Sequence, residues 1–182
     1  MKKSLYILPA LIALVSLSIV SCDDNNTWES TYEWRDANEE WLNKQGLLLD
    51  DEGELFYTRV VPQWNKSAYV YMHFFNDRSL TEGNLSPLYT STISVKYIGR
   101  LYNDEPFDSS FLSTDSLFTS PLSELVPGWA IALENMRVGD SARVVIPYQL
   151  GYGTQSSGSI PAYSALQFDI KLVDIPYYEI KP

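Results

Sequence analysis

The chain has 182 residues, with 23 acidic and 13 basic side chains and a formal net charge of −10. Nucleic acid is a poor partner for such a chain, because neutralising phosphates requires clustered Lys and Arg. Hydrophobic residues make up 45% and charged residues 20% of the sequence, which excludes a disordered chain and predicts one folded domain with a small attachment. The single cysteine excludes a disulfide framework and a cysteine-based zinc site.

The amino-terminal segment has the proportions of a secretory signal. Two lysines precede an apolar stretch over residues 5–20, which is short for a membrane span. The stretch ends in IVSC at residues 19–22, which resembles a bacterial lipobox, and Cys22 is the only cysteine of the chain. The resemblance implies that residues 1–21 are removed as a signal peptide, that Cys22 carries the lipid (palmitate) and that residues 22–27 form a polar tether. The alternative is an ordinary signal peptide with an incidental cysteine.

The lipid anchor predicts a location in a bacterial cell envelope. Acyl chains hold the protein on the membrane while the rest of the chain stays in water, and we expect the outer membrane. Asp23 and Asp24 follow the cysteine, and acidic residues there resemble a surface-export signal of some Gram-negative groups. The sequence leaves both a periplasmic and a surface-exposed orientation open.

An amino-terminal extension is predicted over residues 28–90, and it opens with a helix over residues 28–45. Trp34 and Trp41 lie seven residues apart and therefore share one helix face. A start near Asn26 is an alternative. Five acidic residues on the helix predict a solvated face, whereas the tryptophan stripe would allow docking on the main domain or on a second copy of the chain.

Two strands are predicted in the rest of the extension, from Leu55 to Val61 and from Tyr69 to Phe75. Both are rich in aromatic and β-branched residues, and Pro62 ends the first. The pattern leaves open whether either strand joins the sheet of the main domain. His73 has no serine or cysteine partner motif nearby, so a packed or surface histidine is the preferred interpretation.

The main domain is predicted over residues 91–176. From Thr92 onward apolar residues alternate with polar ones, which indicates a half-buried strand. Further strands are predicted from Arg143 to Ile146 and from Leu166 to Ile175, with one helix from Gly128 to Asn135. Several strands and one short helix predict the α+β class, with an antiparallel sheet curled over the helix.

A series of short motifs runs through this domain in a fixed order. They are VKYIGRL at 95–101, PFDSS at 106–110, ELVPGW at 124–129, MRVGD at 136–140, IP at 146–147, LGYG at 150–153, IP at 160–161 and LQFD at 166–169. Together they resemble the FKBP-type peptidyl-prolyl cis/trans isomerases, a macrolide-binding family. The resemblance implies an FKBP-like half-barrel and catalysis of rotation about the bond before proline, with no cofactor and no metal.

The resemblance also implies the residues of a proline-binding pocket. Trp129 would form its floor, and the remaining apolar lining would come from Tyr97, Phe107, Phe118, Leu125, Ile160 and Phe168. The Val126 N–H and the Tyr152 hydroxyl would hydrogen-bond carbonyls of the bound peptide, and Asp108 would polarise the twisted bond from the pocket edge. Ordinary core packing is the alternative for each apolar residue. A turn-capping role is the alternative for Asp108.

Two features depart from the family pattern. The loop over residues 154–159 is one residue shorter than in common members and carries no aromatic side chain. Peptide preference and the binding of macrolide inhibitors are therefore open. Pro127 stands where proline is unusual, and it restricts Val126 to extended backbone angles while leaving the Val126 N–H free.

We therefore expect a peptidyl-prolyl cis-trans isomerase that assists the folding of exported proteins, with proline-containing polypeptides as its clients. The alternative is a peptide-binding or chaperone module that uses the same pocket with low turnover. Some periplasmic relatives dimerise through amino-terminal helices. Because this chain has one short helix there, a monomer is the preferred prediction.

Overall fold

The computed structural model describes residues 25–178, and for residues 25–27 the backbone alone. The predicted signal peptide, Cys22 and most of the predicted tether lie outside the described residues. Single 3-10 turns occur at Arg78–Thr81, Ser110–Leu112, Leu122–Glu124 and Tyr148–Leu150. The helices and strands follow in the order α1 (Asn25–Gln45), β1 (Thr58–Val60), β2 (Val70–Phe74), β3 (Thr92–Leu101), β4 (Pro106–Ser109), β5 (Phe118–Pro121), α2 (Pro127–Glu134), β6 (Ser141–Ile146) and β7 (Leu166–Tyr177).

The strands form one sheet in the order β1-β2-β6-β7-β3-β4, and β5 pairs with the first half of β3. Every pairing is antiparallel. The longest pairing joins β3 to β7 and places Gly99 opposite Phe168. Register shifts near both ends of β3 bend the strand and curl the sheet. The structure confirms the predicted α+β class with a curled antiparallel sheet.

Helix α2 packs against the sheet and forms the centre of the core. Pro127 takes the first helical position, where the missing N–H has no partner to lose. The residues from Gly128 to Leu133 are all buried. A Cβ at Gly128 would collide with the Ile146 side chain, so only glycine allows the helix to approach the sheet this closely. Each large aliphatic side chain fully buried in such a core contributes about 1.5–3 kcal/mol.

Both strands of the extension join the main sheet. The sequence pattern had left this question open. β2 pairs with β6, with Met72 opposite Val144, and β1 continues the sheet beyond β2. Val70 and Met72 are buried in the same core as α2. The sheet therefore begins well before residue 91, although the domain boundary itself stays a prediction.

Helix α1 begins at Asn25, as the alternative of an earlier start allowed, and docks on the main domain. The Trp34 indole N–H donates a hydrogen bond to the Ser164 hydroxyl at 3.1 Å. The Asn38 side-chain oxygen accepts one from the Ala165 N–H at 2.9 Å. The acidic residues of the helix are exposed. Within residues 25–178, neither helix has the length and apolar character needed to cross a membrane.

Element boundaries differ from the expected ones where the hydrophobic pattern is short. β1 covers only part of the expected strand over residues 55–61, because Leu55 instead pairs with Leu49 across an acidic turn. β7 runs two residues beyond the expected end and stops at Tyr177. β4 and β5 have no counterpart among the predicted elements, because four residues of mixed polarity show no clear period.

Candidate active site

Three aromatic rings from separate elements meet at the candidate site. Tyr97 comes from β3, Trp129 from α2 and Phe168 from β7. The ring centroids of Tyr97 and Trp129 lie 5.1 Å apart, those of Trp129 and Phe168 5.2 Å, and those of Tyr97 and Phe168 6.1 Å. The rings meet edge to face, and each such pair adds about 0.5–1.5 kcal/mol beyond its burial, which holds the cluster in place.

These rings border a small cavity of about 220 Å³. Phe107 lies 5.5 Å from Phe168 between ring centroids, and Phe118 lies 5.6 Å from Tyr97. Sites for drug-sized ligands measure roughly 300–1,000 Å³, so this cavity suits one small ring. The residues that line it are Tyr97, Phe107, Asp108, Phe118, Glu124, Leu125, Val126, Trp129, Tyr152 and Phe168.

Gly99 in β3 allows two of these rings to pack directly on the strand. A Cβ at this position would lie 2.7 Å from Cζ of Phe107 and 2.8 Å from Cε1 of Phe168. These distances are shorter than van der Waals contacts, so any other residue would displace a ring from the cavity wall. The sequence motifs predict no role for Gly99. A glycine inside an alternating strand was the signal for such a close approach.

Asp108 links the aromatic cluster to the rim of the cavity. Its Oδ2 accepts a hydrogen bond from the Tyr97 hydroxyl at 2.5 Å, and its Oδ1 accepts one from the Ser109 backbone N–H at 2.8 Å. The carboxylate therefore caps a backbone amide and also lines the cavity. Burial raises the pKa of Tyr97 far above its ordinary value, and the hydrogen bond to Asp108 raises it further. The Tyr97 hydroxyl therefore stays protonated and donates to Asp108 at neutral pH.

Two further residues that line the cavity, Tyr152 and Val126, carry hydrogen-bond donors. Tyr152 is 41% exposed, and burial, with a smaller contribution from Asp108, raises the pKa of its hydroxyl, which stays a neutral donor. Val126 precedes α2 with φ −57° and ψ 144°, the extended conformation that Pro127 requires. The Val126 carbonyl accepts a hydrogen bond from the Trp129 N–H at 2.9 Å, whereas the Val126 N–H has no acceptor within residues 25–178.

Ile160 lies outside the set of lining residues, and Glu124 lies inside it. Ile160 is buried in the main core, and its backbone pairs with Ser157, so its role in the site stays a prediction. Glu124 ends a 3-10 turn and lines the cavity. No role is predicted for Glu124 from the sequence, although this residue opens the ELVPGW motif directly before the apolar lining.

Other features lie apart from the aromatic cavity. A larger cavity of about 600 Å³ lies between α1 and the turn at Tyr148–Leu150, and it contains none of the predicted site residues. His73 stacks on Phe56 with 3.9 Å between ring centroids and bonds the Phe56 carbonyl through Nδ1 at 2.9 Å, as expected of a packed histidine. No group of three His, Cys, Asp or Glu side chains in the described part of the chain could hold a metal ion.

Comparison with known proteins gives the cavity a family context. Residues 84–173 match the family model described as FKBP-type peptidyl-prolyl cis-trans isomerase. The chain is 42% identical over 94 residues to the macrophage infectivity potentiator of Trypanosoma cruzi, which covers 51% of this chain and 47% of that protein. It is 36% identical over 99 residues to FK506-binding protein 3 of Yarrowia lipolytica, which covers 54% of this chain and 24% of that protein. The matches thus span less than half the length of these relatives.

Solved structures share the fold at lower identity. FkpA from Escherichia coli has a TM-score of 0.68 at 21% identity, over 85% of this chain and 65% of that chain. A peptidyl-prolyl cis-trans isomerase from Pseudomonas syringae has a TM-score of 0.62 at 23% identity, over 80% of this chain and 95% of that chain. The family match over residues 84–173 contains every residue that lines the aromatic cavity. This chain therefore contains a domain of the FKBP-type peptidyl-prolyl cis-trans isomerase family.

Proposed function

We propose that this chain catalyses cis/trans isomerisation of the peptide bond before proline in polypeptide clients. The observation that carries the proposal is the aromatic cavity of about 220 Å³, in which three rings meet beside two hydrogen-bond donors. The family match over the same residues supports the proposal. Because the matches span less than half of the curated relatives, the proposal rests on this site and not on the relatives' activities.

The reaction is a rotation and makes or breaks no bond. Resonance keeps the peptide bond planar, with a rotational barrier of about 18–20 kcal/mol. The two isomers before proline are nearly balanced, yet they exchange in roughly 10–100 s at 25 °C. A catalyst therefore needs no nucleophile. It needs a site that binds the twisted amide more tightly than the planar one.

The apolar cavity supplies such a preference by excluding water. A planar amide is strongly dipolar, and twisting the bond breaks the resonance that creates the dipole. An apolar surrounding therefore destabilises the planar ground state more than the twisted state. Lowering the barrier by about 5.4 kcal/mol would accelerate the exchange about ten-thousand-fold. Proline binding against the Trp129 ring can contribute this preference without covalent chemistry.

The polar groups at the cavity hold the peptide while the bond turns. The Val126 N–H and the Tyr152 hydroxyl would each donate to a carbonyl of the client. Asp108 would lie beside the twisted bond, with its Oδ1 held by the Ser109 N–H and its Oδ2 held by the Tyr97 hydroxyl. Fixed donors and charges need no reorganisation when the amide reaches the twisted state, so they stabilise it at low cost.

A protease-coupled assay on the peptide Ala-Leu-Pro-Phe tests the proposal. The protein should accelerate the cis-to-trans step, and Tyr152→Phe should lower kcat/KM about two- to twelvefold, because a hydrogen bond contributes about 0.5–1.5 kcal/mol. Tyr177→Phe, on an exposed tyrosine at the end of β7, is the matched control and should change nothing. Peptide binding without acceleration would contradict the isomerase and favour the low-turnover binding module.

The cellular setting is also part of the proposal. The lipobox-like sequence before Cys22 supports a lipid anchor in a bacterial envelope, where exported clients fold slowly at proline. Cys22→Ser should move the protein from the membrane fraction to the soluble fraction and abolish palmitate incorporation. Ser18→Ala is the control and should do neither. Protease treatment of intact cells separates surface display, which gives cleavage, from a periplasmic orientation, which gives protection.

A monomer is the proposed oligomeric state. The tryptophan face of α1 is engaged by its own domain through Trp34 and Ser164, which leaves it unavailable for a second copy. Light scattering should therefore give the mass of one chain. A mass of two chains would contradict the proposal.

A further inference from the structure

A groove lies beside the aromatic cavity, against the outer face of α2. Its volume is about 510 Å³, and it is lined by Trp64, Tyr89, Leu125, Pro127, Ala130 and Glu134. Pro127, Ala130 and Glu134 recur at i, i+3 and i+7, so they share one face of the helix. Ala130 is buried, and its small side chain leaves the space that larger residues would fill.

Exposed aromatic side chains form the walls of this groove. Trp64 lies between β1 and β2 and is 65% exposed, and Tyr89 lies before β3 and is 53% exposed. The Tyr89 hydroxyl is 3.5 Å from the Ser123 carbonyl, which connects this wall to the turn before α2. Large aromatic rings exposed around a hollow are typical of a binding surface.

Leu125 joins the groove to the aromatic cavity, because this residue lines both. Val126 lines the cavity and the next residue, Pro127, lines the groove. A polypeptide whose proline occupies the cavity continues in extended form, and each of its residues spans about 3.3–3.6 Å. Side chains within a few positions of the proline can therefore cross Leu125 and reach the groove.

We propose that the groove is a subsite for the same client polypeptide and takes a large apolar side chain, preferably aromatic, within three residues of the bound proline. The inference rests on the proposed function, because it requires proline in the cavity. Glu124 in the cavity and Glu134 in the groove place carboxylates along the path of the client, so acidic side chains are disfavoured there. Trp64 lies outside the family match, so the extension contributes one wall of the groove.

The test uses the whole protein and fluorescein-labelled heptapeptides with a central proline and alanine elsewhere. One Phe is placed in turn at each flanking position, and fluorescence anisotropy gives Kd. At one position or more, Phe should bind about tenfold tighter than Ala, and Asp there should bind more weakly. Trp64→Ala/Tyr89→Ala should lose the Phe preference. Ala130→Leu, which fills the groove from its floor, should lose it as well.

A matched control comes from α1. Trp28 and Tyr32 have the same residue types and similar exposure, 68% and 54%, and do not line the groove. Trp28→Ala/Tyr32→Ala should therefore keep the Phe preference.

Two results would overturn the subsite. One is wild-type protein that shows no preference for Phe at any position. The other is a preference that persists in Trp64→Ala/Tyr89→Ala when the unfolding midpoint equals that of wild type. Replacing the central proline of the peptide by Ala tests the cavity separately. A Kd that does not change on that replacement would refute the proposed function. The Phe scan tests only whether the groove is a subsite.

Discussion

Asp108 has two roles: its carboxylate caps a backbone amide, and it is part of the proposed catalytic site. A turn-capping aspartate needs one carboxylate oxygen, and Oδ1 serves the Ser109 N–H in this way. The other oxygen accepts from Tyr97, whose ring forms part of the cavity wall. Because the two oxygens have different partners, substitution can separate the cap from the site.

Asp108→Leu should lower kcat/KM about tenfold, which corresponds to about 1.36 kcal/mol of transition-state stabilisation. The carboxylate is exposed, so the fold should persist. The control is Asp115→Leu, which removes an exposed aspartate that caps the Leu117 N–H at 3.1 Å outside the cavity. The peptide assay with urea unfolding checks both variants. Unchanged catalysis in Asp108→Leu, or an equal loss in Asp115→Leu, would dismiss the role of Asp108.

The raised pKa of Tyr97 leads us to expect a loss of stability at alkaline pH. Burial, with the Asp108 hydrogen bond, raises its pKa in the folded state above the value of about 10 that applies to the unfolded chain. Stability from a raised pKa is fully present below the unfolded value and is lost as pH rises towards the folded one. The urea midpoint should therefore fall above about pH 10, and less steeply in Tyr97→Phe than in Tyr177→Phe. Equal slopes in the two variants would contradict the shift.

Among the helices and strands, the sequence predicts those whose hydrophobic pattern is contained within the element itself. Alternation over β3 and β7 and the buried face of α2 suffice for those elements. The cavity residues come from separate elements, so only the order of motifs, through the family resemblance, brought them together in the prediction. The groove at Trp64 has no local signature, because the chain between β1 and β2 meets α2 only in the folded molecule.

The docking of α1 depends on a buried amide. Asn38 is 1% exposed, donates to the Trp34 carbonyl at 2.8 Å and accepts from the Ala165 N–H at 2.9 Å. Asn38→Leu would leave the Ala165 N–H buried without an acceptor, so the free energy of unfolding should fall by about 1–3 kcal/mol. Asn43→Leu, on the exposed face of the same helix, should stay within about 0.5 kcal/mol of wild type. Equal urea midpoints for both variants would rule out this anchor.

At the scale of the molecule, the family segment and the extension share one sheet and one core. β2 covers the edge of β6 and contributes Val70 and Met72 to the core around α2. The fragment 84–178 would lose these side chains and expose the β6 edge, so we expect it to show no cooperative unfolding. The fragment 47–178, which lacks α1 but keeps every strand, should unfold cooperatively with a lower midpoint. A cooperative transition of 84–178 at the wild-type midpoint would show that the extension is dispensable.

The aromatic cavity around Trp129 is proposed to bind proline and to accelerate rotation about the bond before it. Two-dimensional exchange NMR on Ala-Leu-Pro-Phe measures that rotation directly, without a coupling enzyme. Exchange without protein takes roughly 10–100 s, and we expect it to become faster in proportion to the protein added. The Trp129 indole resonance should shift as the peptide binds. An exchange rate that stays at the uncatalysed value with equimolar protein would contradict the proposed isomerase activity.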